Sequence, residues 1–196
     1  MTGLLFVCRA NVCRSVLAER LASAHLGRRR FPIRSAGLAA RGTGADPCQL
    51  VTSRLGALGL SEEHSAGAQL ATVADLAGAD LILVATTDQR SEVARRCLSS
   101  RSRTFTLLEA ARLTRLHGLE DVSSLAQFAA RLNLLRTTTP PPKPLPRSLW
   151  RPAAQDPLDI LDGHLGSARE HHRTVTQVEN AVEELLNALS AIEESG

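Results

Sequence analysis

The chain has 196 residues of which 43% are hydrophobic, enough to bury one substantial core and short for two full domains. A net charge of +3 is scattered over 23 basic and 20 acidic residues, and the densest basic cluster, Arg28-Arg29-Arg30, follows a predicted helix where it complements the dipole, so no nucleic-acid partner is expected. No apolar stretch reaches the roughly 18 to 20 residues that cross a bilayer, and residues 1–8 lack the features of a secretory signal; the expectation is a cytoplasmic protein whose four cysteines are thiols, with no membrane insertion.

Residues 4–8 form a β-rich apolar run, and residues 16–26 repeat Val16, Leu17, Leu21, Ala24 and Leu26 at helical spacing, which predicts a strand, a loop and a helix. Residues 31–36 read as a second strand ended by Gly37, followed by a Gly- and Ala-rich loop. Asp46-Pro47 opens a helix over 48–58, with Gly59 as its stop. Residues 80–85 are the clearest buried strand, then a helix over 88–98, a strand over 104–107 and a helix over 108–116. This alternation predicts an α/β protein with a parallel sheet.

One domain over residues 1–196 is expected, with an insertion at about 117–154. Residues 117–136 look helical in part. Residues 137–152 contain Thr-Thr-Thr-Pro-Pro-Pro-Lys-Pro-Leu-Pro and must be extended or irregular, because proline donates no backbone hydrogen bond. This segment reads as a solvent-exposed spacer in preference to a lid or a partner-docking site. Residues 172–192 carry Val175, Val178, Val182, Leu185, Leu186 and Leu189 and form a long amphipathic helix.

The chemistry concentrates in Cys8-Arg9-Ala10-Asn11-Val12-Cys13-Arg14-Ser15, between the first strand and the first helix. In α/β proteins this turn is the usual phosphate site. A thiolate at the start of a helix is stabilised by the dipole and by backbone N–H groups, and the same groups bind phosphate oxygens. Arg14 supplies a planar fork for two phosphate oxygens, and Ser15 can donate its hydroxyl to the Cys8 sulfur. A zinc site would need a second ligand pair, which the sequence does not set beside Cys8 and Cys13. A Walker-type loop is excluded because no Gly-Lys-Ser/Thr follows the first strand.

The run Val7-Cys8-Arg9-Ala10-Asn11-Val12-Cys13-Arg14-Ser15 resembles the signature loop of the low-molecular-weight protein tyrosine phosphatases, and Ser35-Ala36-Gly37 and His64 resemble that family's Ser-Ala-Gly segment and histidine. The resemblance implies a three-layer, Rossmann/flavodoxin-like α/β fold with a four-stranded parallel sheet flanked by helices. It implies hydrolysis of a phosphomonoester or phosphorylated protein through a cysteinyl-phosphate, with catalytic Cys8, Arg14 and Asp156. Phosphate binding and loop support fall to Arg9, Ala10, Asn11, Val12, Cys13, Ser15, Ser35 and His64. The general acid is expected at Asp156, from Asp156-Pro157 ahead of the last helix, with Asp159 and Asp162 as competitors.

Three positions depart from the family pattern. Ala10 replaces a usual glycine, Val16 a frequent proline, and Leu158 the tyrosine after Asp-Pro; the chain has no tyrosine. Leu158 and Leu38 are left to wall an apolar slot, and phosphotyrosine as substrate rests on the family. No metal or cofactor is expected, since Arg14 and backbone N–H groups provide the positive charge. Cys13 could close a protective disulfide with Cys8 under oxidation. Two other readings remain open: a non-catalytic phosphate sensor using the Pro-rich segment to dock a partner, and a thioredoxin-linked arsenate reductase. The latter needs further cysteines close together in sequence, and Cys97 and Cys48 are isolated.

Overall fold

Four short strands build a sheet whose two central members, residues 4–8 and 81–84, are apolar on both faces, so it must be covered on both sides. The computed structural model describes residues 3–27, 31–40, 44–60, 67–119, 121–143 and 156–192. The strands are β1 (Leu4–Cys8), β2 (Ile33–Gly37), β3 (Leu81–Val84) and β4 (Thr104–Thr106), all parallel in the order β2-β1-β3-β4. Cys8 pairs with Gly37, and Val7 with both Ala36 and Val84.

Alternate strand residues feed two cores. Leu4, Phe6, Leu81, Leu83 and Phe105 pack with α1 (Arg14–Leu26), α2 (Gln49–Ala57), α5 (Leu107–His117), α6 (Leu125–Thr138) and α7 (Ala168–Ser190). Leu5, Val7, Ile82 and Val84 face the opposite side, where Leu76 of α3 (Val73–Gly78) and Val93 of α4 (Thr87–Arg96) cover them. The result is the expected three-layer α/β architecture. β1 lies between β2 and β3, so its carboxyl end is where the connections diverge, the place at which such sheets bind ligands.

Several elements depart in detail from the sequence reading. α3 escaped it because six residues are too few for a periodic pattern, although Thr72 and Asp75 close a reciprocal capping box at its start. α7 starts at Ala168, before the predicted 172, because Ser167 and Glu170 form another such box. Within the region expected to be an insertion, α6 is a core element: Phe128 and Leu132 are fully buried against the sheet and its neighbours. Most of the Pro-rich segment, residues 144–152, lies outside the described residues, as does His64. Among the described residues no helix is long and apolar enough to cross a membrane.

Candidate active site

Cys8 ends β1 and Arg14 begins α1, so the loop between them wraps around the helix N-terminus. The Cys8 sulfur is buried and lies 3.1 Å from Ser15 Oγ, and the Asn11 backbone N–H donates to it at 3.3 Å. Asn11 adopts a left-handed φ of 57°, a conformation that asparagine tolerates better than most residues and that turns its N–H back toward the sulfur.

Its side chain then organises three other parts of the chain. Asn11 Oδ1 accepts the Gln69 backbone N–H at 2.8 Å, which fixes the amide orientation. Nδ2 donates to Ser35 Oγ at 2.8 Å and to Ser15 Oγ at 3.0 Å. The Ser35 hydroxyl in turn donates to Glu19 Oε2 at 2.5 Å. Asn11 fills one acceptor site on Ser15, and a Cys8 thiolate, which can only accept, is met by the Ser15 hydroxyl hydrogen. Sequence reasoning assigned Asn11, Ser15 and Ser35 to this support. It missed Glu19 and Gln69; a backbone N–H contact such as that of Gln69 carries no residue-type signal.

The backbone of the loop is held from β2 and α2. Leu38 N–H donates to Cys8 O at 2.9 Å, Ala39 N–H to Arg9 O at 2.7 Å, and Cys48 N–H to Val12 O at 2.7 Å. Arg9 is exposed at the rim, while Ala10 and Val12 are half-buried. Leu38 is buried in the second core and is not available to wall a substrate slot, contrary to the sequence expectation.

Arg14 is 5% exposed, and its guanidinium reaches across the end of the sheet: one terminal nitrogen donates to Ile160 O at 3.0 Å and the other to Asp162 Oδ2 at 2.7 Å. The segment 156–162 is thereby docked on the site, with Ile160 N–H donating to Ala85 O at 2.9 Å and Thr87 N–H to Asp159 Oδ1 at 2.7 Å. Asp156 is exposed and accepts the Leu158 N–H at 2.9 Å. Together with Leu158 it borders a cavity of about 680 Å³ that also holds Arg90, Arg112 and Arg136. Among the described carboxylates of this segment, Asp162 is the one that contacts the loop's arginine.

Cys13 Sγ lies 3.4 Å from His171 Nε2, and Cys48 Sγ 3.5 Å from the same nitrogen. The two thiols share a hydrogen bond that pushes Cys13 up, with burial adding to the rise, and holds Cys48 well below the ordinary thiol range. Cys48 packs against the core, as the sequence suggested, and the fold also brings it and Cys13 together with His164 and His171, a grouping the sequence did not indicate. Cys97 lies in the core on the other face of the sheet. All four cysteines are free thiols.

The family model described as low molecular weight phosphotyrosine protein phosphatase matches residues 3–122. No curated protein shows significant sequence similarity. Among solved structures, a YwlE mutant from Bacillus subtilis is 21% identical with a TM-score of 0.63, the alignment covering 96% of this chain and 99% of that one. The tyrosine phosphatase AmsI from Erwinia amylovora is 23% identical with a TM-score of 0.63, covering 95% and 91%. The tyrosine phosphatase Wzb from Escherichia coli K30, solved with sulphate, is 18% identical with a TM-score of 0.63, covering 95% and 97%. At these identities the likeness concerns the fold, and it extends over nearly the whole of each chain.

Proposed function

The chain belongs to the low molecular weight phosphotyrosine protein phosphatase family, and on that premise we propose that it hydrolyses phosphomonoesters, phosphotyrosine in proteins among them, through a phosphate held covalently on Cys8. The observation that carries this reading is the Cys8 sulfur, met by the Asn11 N–H and the Ser15 hydroxyl at the mouth of a helix whose first residue is Arg14.

In the first step the Cys8 thiolate attacks phosphorus in line, the S–P bond forms, the P–O bond to the substrate breaks, and a carboxylic acid protonates the departing oxygen. Backbone N–H groups and Arg14 hold the phosphoryl oxygens as charge shifts between them. In the second step the same carboxylate takes a proton from water, the new O–P bond forms, and Cys8 leaves as thiolate with Ser15 donating to its sulfur. Inorganic phosphate is released and the enzyme is regenerated.

The Asp156-Pro157 pair singles out Asp156 as the acid in sequence. The contact with Arg14 favours Asp162, because a phosphate that engages the arginine fork takes over this partner and leaves the Asp162 carboxyl beside the leaving oxygen. We therefore assign the acid to Asp162.

Hydrolysis of para-nitrophenyl phosphate by the parent, Cys8→Ser, Asp156→Asn and Asp162→Asn chains tests these assignments. Cys8→Ser is expected to lose turnover entirely, while the parent, acid-quenched during turnover, yields a phosphorylated peptide spanning Cys8. Asp162→Asn is expected to lose about 100-fold or more, and to lose most on esters with poor leaving groups, where protonation matters most. The same pattern in Asp156→Asn alone would move the acid back to Asp156. Turnover surviving Cys8→Ser would overturn the mechanism, and phosphate binding without turnover by the parent would identify a sensor.

A further inference from the structure

We propose that Cys13, Cys48, His164 and His171 bind one zinc ion in a closed, four-ligand site that fastens the phosphate loop to the segment carrying Asp162. One ligand atom from each of the four residues falls within 4.8 Å of all the others. A tetrahedral zinc with Zn–S near 2.3 Å and Zn–N near 2.0 to 2.1 Å sets a sulfur and a nitrogen ligand about 3.5 Å apart. The two sulfur–nitrogen distances at His171 are 3.4 and 3.5 Å. The rings of His164 and His171 are neighbours, with centroids 4.2 Å apart and planes tilted by 43°.

Each ligand sits on backbone that is independently fixed. Cys13 is the residue before α1 and Cys48 the residue before α2, where its N–H holds the Val12 carbonyl of the loop. His171 is in the first turn of α7, with its N–H donating to Ser167 O at 3.0 Å. His164 lies in the 3-10 turn Gly163–Leu165, whose first N–H bonds involve Asp162: Oδ1 accepts the His164 N–H at 3.2 Å while Oδ2 accepts from Arg14. A metal bound here would hold Asp162 between the arginine of the loop and one of its own ligand turns.

Two thiolates and two neutral imidazoles complete a tetrahedral shell with no open position, the donor set of structural zinc. Binding involves no redox change: four metal–ligand bonds form, and the thiol protons still present on Cys13 and Cys48 are released to solvent. Cys8 is not among the four ligands, so loading leaves the nucleophile free. The proposal is independent of the reaction assigned above, because it concerns metal uptake and stands or falls whether or not the chain turns over phosphate.

The test uses the reduced, full-length chain, stripped with a chelator and titrated with Co²⁺. The expected result is saturation at one equivalent, with the intense visible bands of tetrahedral cobalt, a thiolate-to-cobalt charge-transfer band, and displacement of both by Zn²⁺. Cys8→Ser should keep these bands, and Cys48→Ser and His171→Ala should lose them. Should either variant fail to fold, the parent decides alone: zinc must protect Cys13 and Cys48 from alkylation, read by peptide mapping, while Cys8 continues to react. Absence of the cobalt bands in the reduced parent, retention of them in folded Cys48→Ser or His171→Ala, loss of them in folded Cys8→Ser, or alkylation of Cys13 and Cys48 at the same rate with and without zinc would each overturn the proposal.

Discussion

Asn11 stands at the centre of a set of contacts that no other side chain could make together. Its left-handed backbone aims an N–H at the Cys8 sulfur, and its amide ties Ser15, Ser35 and the Gln69 backbone into one frame. Asn11→Ala removes three hydrogen bonds, two of them buried, and leaves the Gln69 N–H without this partner, so a stability loss of about 3 kcal/mol is expected in urea denaturation, together with a fall in kcat. Asn11→Gly restores the backbone freedom but not the hydrogen bonds; it should recover only part of the loss, which separates the two contributions. Gly37 acts on the same loop by having no side chain. A Cβ there would stand 2.8 Å from Arg9 O and 2.9 Å from both Ala10 C and Asn11 N, all backbone atoms of the loop. Gly37→Ala must therefore shift the loop itself, and since a displacement of about 1 Å can cost about 100-fold in rate, kcat/KM should fall far more than the thermal midpoint. An unchanged kcat/KM in a folded Gly37→Ala chain would mean that the loop tolerates the shift.

The same loop shows why part of the site was readable before folding. Cys8, Asn11, Arg14 and Ser15 are contiguous, so their spacing alone states how they surround a bound oxyanion. The alternating strands and helices were equally plain, because β1 and β3 are short apolar runs and α1, α5 and α7 repeat at helical spacing. Residues 117–136 read as helical only in part, and the core position of α6 was obscured by the proline run that follows it, although Leu125, Phe128 and Leu132 already carry the three- and four-residue spacing of a buried face. Its docking depends on an ion network: Glu109, buried on α5, pairs with Arg90 of α4 at 2.8 Å and with Arg136 of α6 at 2.9 Å. Arg136 also donates to Thr104 O at 2.6 Å and stacks 4.0 Å over the Phe105 ring. Glu109 further closes the cap of its own helix with Thr106. Removing this carboxylate leaves two cations facing each other, and the cost of breaking a buried pair exceeds the net worth of having formed it. Glu109→Ala is expected to cost about 3 kcal/mol in urea denaturation, whereas a loss below about 1 kcal/mol, as at exposed pairs, would show that solvent already screens the network.

Contacts between parts of the chain far apart in sequence were the least legible. Cys13 meets His171 across 158 positions and Arg14 meets Asp162 across 148, and nothing in the spacing pairs them: Cys13 alone reads as a core thiol and Asp162 as a turn aspartate. Which of three nearby carboxylates reaches the loop is decided by how residues 156–162 lie across the end of the sheet, and that path is set by Ile160 bonding to Ala85 and by Asp159 bonding to Thr87. Asp159 fastens this crossing at a cost. Burial raises its carboxyl above the ordinary range, the charges of Asp156 and Asp88 raise it further, and hydrogen bonds from Thr87 oppose the rise. Between the ordinary carboxylate value and this raised one, the folded chain holds more protons than the unfolded chain, so the group's contribution to stability falls as pH climbs through that window and stays lower above it. Asp159→Asn removes the charge and keeps an oxygen to accept the Thr87 N–H. Urea midpoints measured over a pH series should therefore coincide for parent and variant below the carboxylate range and separate as pH rises, with the variant the more stable near neutrality. If the parent is instead the more stable there, the ionised carboxylate gains more from the Thr87 hydrogen bonds than it loses to burial, and the crossing is held by that charge.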